Sequence, residues 1–107
     1  MTRSDRERFD DILQAIHRCQ EYRPFLGGTD VLAPMAYDAV LRNLAVIGEA
    51  VRSLPDETRL SMPDVEWAAI AGLRNIVVHE YFRVNPDLIM QIIDQQLGTL
   101  ADCLGDR

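Results

Sequence analysis

No lysine occurs in this chain. Its positive charge rests on eleven arginines, set against seventeen acidic residues for a net charge of −6. That balance argues against a protein whose whole surface grips nucleic acid, since such domains carry a basic face. It predicts weak non-specific binding, which a site that meets its substrate briefly tolerates and a stoichiometric coat protein does not. The acids are dispersed (Asp10-Asp11, Asp56-Glu57, Asp64, Glu66, Asp94, Asp102, Asp106), so a local arginine-lined cleft stays open. Cysteine is nearly as scarce. Cys19 and Cys103 lie near opposite ends, without a CxxC pair or metal-ligand spacing, and read as reduced packing residues. No apolar run approaches the roughly 18 residues that a membrane span needs. Met1-Thr2-Arg3-Ser4-Asp5-Arg6 leads straight into charged sequence rather than a secretory leader, so a cytoplasmic location is the default expectation. The histidines are His17 and His79, no HExxH pattern is present, and neither a metal nor a cofactor is expected.

What is present is apolar and helical. With 48% hydrophobic and 26% charged residues, the 107-residue chain reads as one folded domain. A domain of this size buries roughly 60–65% of its unfolded surface. Ser4 and Glu7 form a capping-box pattern at the head of a helix running to about Tyr22, with Phe9, Ile12, Leu13, Ile16 and Cys19 on one face. Arg23-Pro24 and Gly27-Gly28 end it, and a short helical turn over 29–32 follows. A second helix is expected from about Pro34 to Leu54, apolar at Tyr37, Val40, Leu41, Leu44, Ile47 and Val51 with Val46 adding bulk. Gly48 in its middle suits the close approach of a neighbouring helix, at a cost of about 1 kcal/mol against alanine. A third helix is expected over about Val65–His79, slim along Ala68, Ala69, Ala71 and Gly72. A fourth starts at an Asn85-Pro86 cap and ends at Gly105. With strand signals nearly absent, the fold class is all-α: an antiparallel up-and-down four-helix bundle with short extra helical turns.

Chemistry concentrates in Arg74-Asn75-Ile76-Val77-Val78-His79-Glu80-Tyr81-Phe82. Arginine offers a permanent forked charge suited to phosphate, and histidine titrates nearest neutrality. One steadies charge while the other moves a proton, which suffices for a phosphodiester without a metal. Taken singly, each has a plainer reading. Arg74 alone would pair with Glu49 or Glu80, and His79 alone would sit at a helix C-terminus where the dipole favours its charged form. His17 has no ligand-type partner nearby and reads as surface or packing, and Trp67 reads as core. At 100° per residue Arg74 and His79 lie about 140° apart on a straight helix. Three routes would reunite them: unwinding near His79, a curled arginine, or two copies facing each other. The first and third are favoured, because Phe82-Arg83-Val84-Asn85 is not helix-like.

An arginine, then four intervening residues of which the first is asparagine, then His-x-Tyr resembles the signature of the HEPN superfamily, and within it the HepT-like ribonuclease toxins. Arg42-Asn43-Leu44-Ala45-Val46-Ile47-Gly48-Glu49-Ala50, Pro63 with Trp67, and Ala71-Gly72-Leu73-Arg74-Asn75 extend the likeness over roughly residues 5–104. The resemblance implies a toxin of a toxin–antitoxin pair: a metal-independent endoribonuclease, homodimeric, with two motifs facing across a cleft. In it His79 is the acid/base that acts on the RNA 2′-hydroxyl, Arg74 holds the scissile phosphate, and Asn75 orients by hydrogen bonding. Tyr81 matches the tyrosine to which a nucleotidyltransferase antitoxin adds AMP, placing charge at the cleft mouth. Arg42 and Glu49, seven apart on one helical face, are possible supports of the site. The rival readings are a non-catalytic subunit that binds nucleotide or the nucleotidyltransferase, and a plain dimeric bundle.

Overall fold

The computed structural model describes residues 4–80 and 86–105, with backbone only at Ile76, Val78, His79 and Glu80. Every regular element among them is helical. Helix α1 (Asp5–Tyr22) starts as its local chemistry dictates: Ser4 Oγ accepts the Glu7 N–H at 3.2 Å, and acids occupy the first turn, where the helix dipole favours them. Ile12, Ala15, Ile16 and Cys19 are buried along its inner face. A 3₁₀ turn (Arg23–Phe25) ends it, and Gly27 supplies a left-handed φ of 79° that an L side chain rarely adopts.

The expected turn over 29–32 merges with the next helix. Asp30 Oδ1 accepts the Leu32 N–H at 3.1 Å, and α2 (Leu32–Arg52) begins there, with Pro34 in a first turn that needs no N–H from it. Helix α2 is the centre of the molecule: it packs against α1 on one side and α4 and α5 on the other. Val40, Leu41, Leu44, Ile47 and Val51 are buried, whereas Val46 is 43% exposed and contributes no core bulk. Asn43 is the buried polar residue of this helix, its Nδ2 donating to the Ala39 carbonyl at 2.8 Å.

A short helix absent from the sequence reading, α3 (Asp56–Leu60), follows Pro55. It is anchored to α1 by Thr58 Oγ1 donating to Asp5 at 2.9 Å. The third rod is then broken rather than continuous. Helix α4 (Trp67–Ala71) stops at Gly72, and α5 (Leu73–Glu80) restarts at once, the Asn75 N–H bonding the Gly72 carbonyl. Trp67 is half-buried rather than core. Its Nε1 donates to the carbonyls of Arg59 and Met62 at 2.9 and 3.1 Å, tying α3 to the start of α4. Trp67→Phe keeps the ring and loses that tie, so a loss of about 1–2 kcal/mol is expected, read as a lower Tm.

The last rod comprises α6 (Pro86–Gln91), a π-helical stretch (Ile92–Leu97) and α7 (Gly98–Gly105). Within the π-helical stretch the adjacent Ile92 and Ile93 are both buried. Its Asp94 holds the 3₁₀ turn through a two-pronged bond from Arg23 Nε and Nη2, each at 2.6 Å. The expected Asn85 cap lies outside the described residues. Four helical rods thus enclose one core, and among the described residues no helix is long and apolar enough to cross a membrane.

Burial pushes the Cys19 thiol from its ordinary 9.0 up to about 12, while Cys103 is partly exposed. A thiol reagent is expected to label Cys103 first and Cys19 only on unfolding. The unfolded chain releases the Cys19 proton near 9 and the folded chain near 12, so this group's contribution to stability is complete below pH 9 and fades between 9 and 12. A urea titration at pH 8 and pH 11, compared with Cys19→Ala, reads that loss.

Candidate functional site

Helix α5 carries Arg74 and His79 on one unbroken run, because the backbone stays helical through Glu80. On a regular helix positions 74 and 79 lie about 140° apart around the axis, and the stretch after Glu80, where the expected unwinding would begin, lies outside the described residues. Leu73 is buried and Val77 packs on the core, which holds the register of α5 against α2. The His79 side chain and all of Tyr81 lie outside the described residues.

Arg74 is turned toward α2. Its Nε lies 2.5 Å from Glu49 Oε1, with the two side chains 42% and 56% exposed. The plainer reading of Arg74, a pair with Glu49, is thus realised at an open surface rather than in the interior. The approach is close because α2 has no side chain one position earlier. A Cβ built on Gly48 would sit 3.1 Å from the Arg74 backbone nitrogen, 3.3 Å from its Cβ and 3.3 Å from the Ile70 carbonyl. The sequence pointed to a close neighbour at Gly48; the structure identifies it as the backbone of Arg74.

Glu49 also borders an open hollow of about 560 Å³ on the outer face of α2, together with Arg42, Ala45, Val46, Ala50 and Ser53. Arg42 and Glu49 therefore share a surface, as their seven-residue spacing implies, and the Glu49–Arg74 pair extends it to α5. Asn75 is exposed one residue along. Arg42, Glu49, Arg74 and Asn75 thus stand on α2 and the start of α5, two cations flanking one carboxylate.

Other hollows have different chemistry. One of about 170 Å³ is lined by Asp64, Glu66, Gln95, Gln96 and Thr99, and its carboxylates would repel a phosphate. Another, of about 300 Å³, is apolar, between Tyr22, Phe25 and the start of α2. Among the described residues no group of three or more His, Cys, Asp or Glu side chains is placed to hold a metal ion. His17 is exposed on α1.

The family model for ribonuclease HepT-like proteins matches residues 12–105. A protein of Caldanaerobacter subterraneus subsp. tengcongensis named as a candidate RNase is 42% identical over 67 residues, 63% of this chain and 60% of that one. A protein of Thermococcus cleftensis named probable ribonuclease HepT is 28% identical over 101 residues, 94% of this chain and 92% of that one. A candidate RNase of Methanocaldococcus jannaschii is 44% identical over 55 residues, 51% of this chain and 46% of that one. The chain thus spans less than two thirds of the first and third of these relatives and nearly all of the second. No solved structure matches it at a significant level.

Proposed function

The chain belongs to the HepT-like family, and from that premise we propose that it is an endoribonuclease acting as the toxin of a toxin–antitoxin pair. What carries the reading is the placement of Arg74: a half-exposed side chain, five residues before His79 on one helix, paired with Glu49, which together with a second arginine, Arg42, lines an open hollow. In the proposed reaction His79 removes the proton of a ribose 2′-hydroxyl. The 2′ oxygen bonds phosphorus as the bond to the 5′ oxygen breaks. The proton is returned to that leaving oxygen, giving a 2′,3′-cyclic phosphate and a 5′-hydroxyl. Arg74 steadies the charge that develops on the non-bridging phosphate oxygens, and Asn75 donates to a phosphate oxygen or orients the imidazole. No metal enters this scheme.

Because the helical register splays Arg74 and His79, the reading includes a homodimer in which two copies of the motif face one cleft. The proposed control is AMP addition to Tyr81 by a nucleotidyltransferase antitoxin, which brings phosphate charge and bulk to the cleft and repels RNA. The Arg74–Glu49 pair is the observation that favours the rival, a non-catalytic subunit in which Arg74 serves only to bind.

The test is incubation of the purified protein with RNA in EDTA, with analysis of the new ends. Cleavage leaving cyclic phosphate ends supports the enzyme. Intact RNA with folded, unmodified protein supports the rival subunit. Mass spectrometry of Tyr81 after co-expression with a nucleotidyltransferase checks the control step. A neutralised complex without added AMP would replace modification by occlusion.

A further inference from the structure

Consecutive residues of α2 address Arg74 in two ways. Gly48 lets the α5 backbone come into contact, and Glu49 takes the guanidinium. The carboxylate reaches Nε, the inner nitrogen of the fork, at 2.5 Å. A carboxylate seated at Nε restricts how the guanidinium turns, and an arginine engaged there still has the edge between its two terminal nitrogens to offer. That outer edge is the one that grips a phosphate with two parallel bonds. We propose that Glu49 is a positioning residue: it fixes the plane of the Arg74 guanidinium so that the outer edge faces the RNA phosphate. The inference rests on the reading of Arg74 as a phosphate-holding residue.

Magnitudes separate this role from a structural one. An ion pair this exposed contributes little to stability, being screened by water and salt and opposed by the side-chain entropy of its members. Its effect on catalysis is larger, because a small misplacement of a group that meets the transition state costs much more rate than it costs folding. Glu49 also carries negative charge beside the place proposed for an anion, so it weakens ground-state binding of RNA while improving geometry. Removing it should therefore lower kcat without raising KM. A residue that merely braces the fold would instead lower the folded fraction, leaving KM alone and shifting Tm.

The test is steady-state RNA cleavage with Tm measured alongside, for wild type, Glu49→Ala, Glu49→Gln, Glu49→Asp, Arg74→Ala, Arg74→Lys and the double variant Glu49→Ala/Arg74→Lys. Glu49→Ala is expected to lose about tenfold in kcat, with KM unchanged or lower and Tm nearly unchanged. Glu49→Gln, whose side chain has the same length and keeps an oxygen able to meet Nε, should stay within about threefold of wild type. Glu49→Asp, one methylene shorter, should resemble Glu49→Ala. In the Arg74→Lys background, which has no Nε to hold, Glu49→Ala should change nothing further. An equal loss in both backgrounds, a Glu49→Gln as impaired as Glu49→Ala, or a Glu49→Ala with wild-type kcat overturns the assignment. If Arg74→Ala is impaired and Glu49→Ala is not, only the role of Glu49 falls. If Arg74→Ala cleaves like wild type, the reading of Arg74 falls first.

Discussion

Purified His79→Ala protein should keep its helical fold and lose RNA cleavage by a factor of about 10²–10⁴, the range that general acid–base catalysis supplies. The imidazole is the one group in the motif able to take and return a proton near neutral pH, whereas Arg74 stays charged and Asn75 does not titrate. Arg74→Ala should lose about 10²–10³, as removal of one transition-state charge stabiliser does. The two losses should not add in the double variant if both groups serve one transition state. Circular dichroism should be unchanged in both, since Arg74 is half-exposed and its pair with Glu49 is an exposed one. Cleavage that persists unchanged in both variants would remove the proposed mechanism.

The architecture was legible where the signal is local. The Ser4 and Glu7 cap and the 3–4 spacing of Ile12, Ile16 and Cys19 specify α1 without help from the rest of the chain, and the structure reproduces it to the residue at Tyr22. Where tertiary contacts decide, the sequence was silent. Ala68-Ala69-Ile70-Ala71-Gly72-Leu73 reads as one helix, because a glycine among alanines signals close packing as readily as the break that falls at Gly72. Helix α3 is five mostly polar residues, held by Thr58 on Asp5 and by the Trp67 indole rather than by its own propensity. Nothing in Ile92-Ile93-Asp94 distinguishes a π-helical stretch from an α-helix with one buried face.

The site divides in the same way. Its residue types and their spacing were on the page, because chemistry needs a guanidinium and an imidazole wherever they lie. Their directions were not, because these depend on how α5 sits on α2. The backbone is helical through Glu80, with Leu73 buried and Val77 packed on the core, and the stretch 81–85, on which the expected unwinding rested, lies outside the described residues. The partner of Arg74 was narrowed to Glu49 or Glu80 from sequence, and the crossing at Gly48 selects Glu49.

That crossing sets the largest stability effect expected in the molecule. Gly48→Leu should destabilise the protein by about 3 kcal/mol, at the upper end of the usual cost of overpacking. The physical reason is the identity of the opposing atoms. A flexible side chain could swing aside, but at 48 the new Cβ would lie 3.1 Å from a backbone nitrogen and 3.3 Å from a backbone carbonyl, both belonging to the α4–α5 rod. Relief requires that rod to move, and Ile70 and Leu73 are buried on either side of the contact. Gly48→Ala separates the opposing effects. It gains about 1 kcal/mol of helix propensity and loses a comparable or larger amount to the same contact. Its net effect should be a loss of about 1 kcal/mol or less, a shift in Tm of a few degrees. The leucine variant should fall by on the order of 15 °C. If both variants melt at or above wild type, α5 is free to slide on α2 and the Arg74–Glu49 geometry is not held by this crossing. If Gly48→Ala stays folded yet cleaves RNA more slowly than its small Tm change explains, the crossing sets where Arg74 stands as well as how firmly the rods are joined.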